Sequence, residues 1–190
     1  MLAVLVLASP FLGASPAAAQ AAAHASSEAP AGAAHAFLDA VRALRWQGVA
    51  ERLHPETLER FRTLVAMIAE ADSTDGVGRF LTGVGPADRA GLPSTTIFSR
   101  AIDAMLTEMP GLANALHERD DDVLGAVPEG TESAHAVYRT QARIGGSVSE
   151  VKVLELGLVG SEWKVRWSDE LEVLDAALRG VAMGPREGEP

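Results

Sequence analysis

The stretch SAHAVYRTQARIGGSVSEVKVLELGLVGSEWKVRWS, Ser133 to Ser168, decides the fold. It divides into three runs, Ser133 to Arg143, Ser147 to Val159 and Glu162 to Ser168, each rich in Val, Leu, Tyr or Trp. Only a few residues separate them, carrying Gly145-Gly146 and Gly160-Ser161. Connections this short make hairpins and cannot hold the crossover helix that parallel strands need. The expectation is an antiparallel meander. In the last run Trp163, Val165 and Trp167 alternate with Glu162, Lys164 and Arg166, so the tryptophan face is expected to be buried. In the first run Ala136, Tyr138 and Thr140 share one face and His135, Val137, Arg139 and Gln141 the other. The middle run carries Val151 and Val153 on one register and Leu154, Leu156 and Leu158 on the other, which reads as burial on both faces or a bulge.

Working outward, everything before about Val123 reads helical. Phe37, Val41, Leu44, Val49 and Leu53 recur at helical intervals and predict one first helix. Pro55, pre-organised for a first helical position, starts a second after a turn at His54, with Leu58, Phe61, Val65 and Ile68 as its buried stripe. Ser73 to Pro93 is glycine-rich and reads as a long loop with one helical turn inside it. Ser94 is the expected cap of a third helix carrying Ile97, Phe98, Ala101, Ile102, Met105 and Leu106; Pro110 ends or kinks it before a short helix through Leu112 and Leu116. Asp169 and Glu172 resemble a capping box opening a last helix that Gly180 stops. A block of helices followed by hairpin-linked strands specifies an α+β domain: N-terminal helices packed on one face of an antiparallel sheet of three to four strands.

Composition and charge bound the setting. The 190 residues, 47% hydrophobic, suffice for one substantial core. Twenty-six acids against sixteen bases give a net charge of -10, which disfavours nucleic acid and anionic membrane surfaces as partners, because phosphate binding needs clustered cations. The chain has no cysteine, which excludes disulfides and thiol catalysis. Leu2 to Leu12 form an apolar run of secretory length, followed by small residues through Ala17-Ala18-Ala19. Pro10, Gly13 and Pro16 interrupt it, so a stable membrane span is not expected. No Lys or Arg precedes the run, an element that a signal normally carries. The expected organisation is a signal peptide over 1–19, a disordered Ala, Ser and Pro-rich linker over 20–31, a single domain over 32–180 and a disordered tail over 181–190. The expected location is periplasmic or secreted.

The corner WQGVAERLHPETLERF, Trp46 to Phe61, resembles the helix-to-helix corner of nuclear transport factor 2-like domains, and the ending EWKVRWSDE resembles their closing strands. The resemblance points to a secreted bacterial branch of that cystatin-like superfamily. It implies a curved, cone-like sheet, and it specifies a fold better than a chemistry. The insertion from Ser73 to His117 departs from the enzymes of that superfamily.

Chemical constellations are sparse. The five histidines show no ligand spacing, Asp120 to Asp122 lack the register of a calcium loop, GVGRFLTGVG neither follows a strand nor carries a Walker lysine, and no nucleophile elbow occurs. Neither a metal nor a cofactor is expected. By analogy with enzymes of the superfamily, Asp39, His135 or Tyr138, and Glu155 could converge in an apolar cavity for isomerase or dehydratase chemistry. A third reading makes the sheet's open face a dimer interface with no small ligand, but the favoured reading is a non-catalytic module that binds a small apolar ligand or a protein partner. Its expected ligand-binding residues are Tyr138, Trp163 and Trp167, with Tyr138 chosen because its phase agrees with the small Ala136.

Overall fold

The computed structural model describes residues 16–142, 148–167 and 171–172. Among them are seven helices followed by four strands: α1 (Pro16–Arg42), α2 (Trp46–Ala50), α3 (Pro55–Ala71), α4 (Gly76–Thr82), α5 (Pro86–Ala90), α6 (Ser94–Glu108), α7 (Pro110–His117), β1 (Asp120–Glu129), β2 (Ser133–Ala142), β3 (Val148–Val159) and β4 (Glu162–Val165). The strands form one antiparallel sheet in the order β1-β2-β3-β4, an α+β architecture with the helices N-terminal to the sheet. The Gly145-Gly146 connection, the capping box at Asp169 and the tail over 181–190 lie outside the described residues.

The first helix is not one helix. It ends at Arg42, where Leu44 takes a left-handed conformation at φ 53°. The Leu44 N–H donates to the Val41 carbonyl at 2.9 Å and the Arg45 N–H to the Ala40 carbonyl at 2.9 Å. These are the two bonds of a Schellman stop, normally built on glycine, so a leucine there hides it from sequence. At the other end α1 includes residues 20–31, where a linker was expected: alanine is the strongest helix former, and the run continues the packed segment after it. The glycine-rich segment after Ala71 holds two short helices rather than one turn. Asp72 accepts from the N–H groups of Thr74 and Val77, both at 2.9 Å. Arg89 reaches Asp75 at 2.6 Å from inside the fold, which ties α5 back to the start of α4.

The α3 start is as expected, with the His54 ring accepting from the Glu56 N–H at 3.3 Å. Ser94, by contrast, is not a cap. The capping position is Pro93, and the Ser94 hydroxyl turns to Glu59 instead.

Two layers meet at one core. From the helices come Phe37, Leu38 and Val41, Leu53, and the Phe61–Phe98 pair, whose rings meet edge-on at 4.8 Å. From the inner face of the sheet come Ala136, Tyr138, Leu154, Leu156 and Val165, each at most 1% exposed. Ala134 and Ala136 leave no side chain to hold a helix away, so α1 lies directly against the sheet. The α2–α3 corner closes the β4 edge: Leu53 pairs in parallel with Val165, the His54 N–H donates to the Val165 carbonyl at 2.8 Å, and the Val165 N–H donates to the Arg52 carbonyl at 2.8 Å. The opposite edge, β1, is blunted by Asp120 to Asp122, a bulge between Val123 and Gly125, and Pro128, three devices that discourage edge pairing.

Pairing between β2 and β3 runs without interruption from Ser133↔Gly157 to Ala142↔Val148. Thus β3 has neither a bulge nor two buried faces. Leu154 and Leu156 point in, while Val151 and Val153 stand 61% and 54% exposed on a face that no described element covers. The sequence reading failed here because valine suits a strand on either face.

Candidate functional site

The three residues expected to line a cavity occupy three different settings. Tyr138 sits in the middle of β2, fully buried, between Ala136 and Thr140 on the inner face. The space expected beside it is filled by packed core. Trp163 and Trp167 share a face with Val165, but only Val165 is fully buried; the two indoles are partly exposed and each lines its own shallow groove. Nor do Asp39, His135 and Glu155 converge. Asp39 pairs with Arg42 on the surface of α1 at 3.1 Å, His135 pairs with Glu129 at 2.8 Å on the outer face, and Glu155 points outward toward Arg166.

The Trp163 groove, about 440 Å³, opens between β4 and Ala29, Ala33 and Ala36 of α1. Its rim is fixed by Lys164, which donates to the Glu51 carbonyl at 2.8 Å and pairs with Glu162 at 2.6 Å. The hydrogen bond and charge of Lys164 hold the Glu162 carboxyl below its ordinary range. The Trp167 groove, about 270 Å³, lies between the first turn of α3 and the end of β4, with the Arg60 guanidinium 4.1 Å over the indole ring.

A buried polar cluster was not anticipated. On the inner face Asp121 and Thr140 are cross-strand partners. Arg119 donates to Asp121 Oδ2 at 2.8 Å, while Asp121 Oδ1 and Thr140 Oγ1 are buried without a hydrogen-bond partner among the described residues. The only sequence signal was Asp121 falling on the inward phase of an acidic run. Among the described residues no group of three or more His, Asp or Glu is placed to hold a metal ion, and no helix is long and apolar enough to cross a membrane.

The most extended surface feature is the outer face of the sheet. Cross-strand register aligns Gly125, Val137 and Val153 in one row, Asp122, Arg139 and Val151 in the next, and Val127, His135 and Glu155 on the other side. Val127, Val151 and Val153 are 62%, 61% and 54% exposed around the partly buried Val137. Both ends of this face carry charge: Arg139 stands beside Asp122 at one end, and Glu155, with Arg166 near it, and Glu129 stand at the other. Compared with known proteins, the chain matches no family model, no curated protein and no solved structure.

Proposed function

We propose that this chain is an exported, non-catalytic interaction domain of the nuclear transport factor 2-like kind, and that it associates through the outer face of its sheet with a second copy of itself. The observation that carries this reading is the valine patch at Val127, Val151 and Val153. Isolated exposed apolar residues need no explanation, but a contiguous group on a flat sheet marks an association surface. Fully burying one valine stabilises by about 1.5–3 kcal/mol, so a few of them on each side suffice to drive a modest dimer.

The charge pattern favours a second copy over an unrelated partner. Two identical faces related by an axis running across the strands, along the row of Gly125, Val137 and Val153, put valine on valine at the centre. The row of Arg139 then lies over the row of His135 and Glu155 in the other copy, which sets Arg139 over His135 and one strand away from the Glu155 that lies over Val151. The blunted β1 edge leaves the face, rather than the edge, as the means of association. Export rests on the N-terminal apolar run and its small-residue stretch.

Sedimentation velocity over a range of concentrations tests the reading. The chain is expected to dimerise, Val153→Glu to abolish the dimer while leaving the thermal midpoint unchanged at concentrations where the native chain is monomeric, and Arg139→Glu to weaken it. Pairing Arg139→Glu with Glu155→Arg should restore it. A chain that stays monomeric at every concentration would sink the dimer.

A further inference from the structure

We propose that the Trp167 groove binds a small, uncharged, hydroxylated ligand the size of one sugar ring, an inference independent of the sheet-face reading. At about 270 Å³ the groove lies just under the lower end, about 300 Å³, of small-molecule sites, so it suits one ring and not a chain. Two N–H donors of its lining residues, Trp167 Nε1 and Arg166 Nε, are buried without a hydrogen-bond partner among the described residues. Folded proteins seldom leave such groups unmatched.

The position of Arg166 is built. A Cβ at Gly157 would lie 2.8 Å from Arg166 Nε and 2.9 Å from one terminal nitrogen, so the guanidinium rests on the strand only because that position is glycine. Its carboxylate neighbours stand off. Glu155 Oε1 is 3.5 Å from Nε, and Glu56 Oε2 is 3.7 Å from a terminal nitrogen. Each gap is too long for a good direct bond. A hydroxyl placed beside such a pair accepts from the arginine and donates to the glutamate, satisfying both. A carbonyl has no proton for the glutamates. An anion would meet Glu56 and Glu155, whose charges already cancel those of Arg60 and Arg166.

The face of the ring is covered but not locked. Arg60 lies 4.1 Å over the indole, and its tether is a half-exposed pair with Glu172 at 3.1 Å, of a kind that contributes little. A ligand ring that displaces this guanidinium takes over the indole face and opens the way to the buried donors.

The test follows the three tryptophan indole N–H signals of the full chain by nuclear magnetic resonance during titration with glucose, galactose and N-acetylglucosamine. The Trp167 signal, assigned with Trp167→Phe, is expected to move and saturate at millimolar concentration with at least one sugar, while the Trp163 signal stays. Gly157→Ala, which pushes the guanidinium off the strand, should weaken the effect about tenfold with the amide spectrum of the fold retained. A shift with acetate, phosphate or trialanine but with no sugar overturns the ligand class. No shift with any sugar, either in the native chain or in Arg60→Ala, where the ring is uncovered, leaves the donors bridged by water and overturns the site.

Discussion

The two faces of one sheet draw on the same residue types and meet opposite fates. On the inner face Leu154 and Leu156 are fully buried; one residue along the same strand Val151 and Val153 are more than half exposed. Alternation assigns residues to faces, but what covers a face is decided by helices far away in sequence. The inner face is flat beside Ala134 and Ala136, and α1 takes it; the outer face is left to whatever the molecule meets.

Substitutions can break this contrast, and the largest effect belongs to the inner face. Leu156→Ala should cost about 2–5 kcal/mol, read from chemical denaturation, because the fully packed site can collapse only partly around the cavity. A cost below about 1 kcal/mol would mean that the two faces are not different in kind. Trp163→Ala should cost less than the about 3–5 kcal/mol of a fully buried tryptophan, since its indole borders an open groove. Thr140→Val sharpens the contrast in the other direction. It removes a buried hydroxyl that has no partner among the described residues, so stability should rise by about 1 kcal/mol; a fall would reveal a bound water that satisfies it. On the outer face Val151→Thr should change stability by no more than about 0.5 kcal/mol at concentrations where the chain is monomeric.

The smallest effect lies away from both faces. Hydrogen bonds from Thr74 and Val77 hold the Asp72 carboxyl down at about 2, against 3.8 for the free group. Because the folded value is the lower one, its contribution is complete above about 3.8 and is lost as pH falls toward 2. Amide exchange in α4 should therefore quicken across that window while exchange in the sheet does not. Asp72→Asn should flatten the dependence.

Much of this was legible in sequence where one residue type has one meaning. Pro55 marks a helix start and Pro110 the end of the helix before it because proline lacks the N–H that a helix interior needs, and the alternation from Trp163 to Trp167 placed Val165 inward. The break at Leu44 was hidden because its stop depends on a conformation that leucine rarely adopts. The exposure of Val151 and Val153 was hidden for a different reason: burial is a property of the neighbours, and no pattern within β3 records that no described element covers its outer face. The candidate site fared worst. The phase chosen for Tyr138 was inward as expected, but inward here means core.

The clasp between the α2–α3 corner and β4 has a kinetic consequence. Leu53 and Val165 are joined only after more than a hundred intervening residues have been placed, so the contact that closes the sheet edge is also among the most distant in the chain. Closing so long a loop is entropically costly and is repaid late, which predicts slow, cooperative folding that waits for the C-terminal strand. In a nascent chain that lacks β4 the corner can still pack on α6, but it has no strand to dock on.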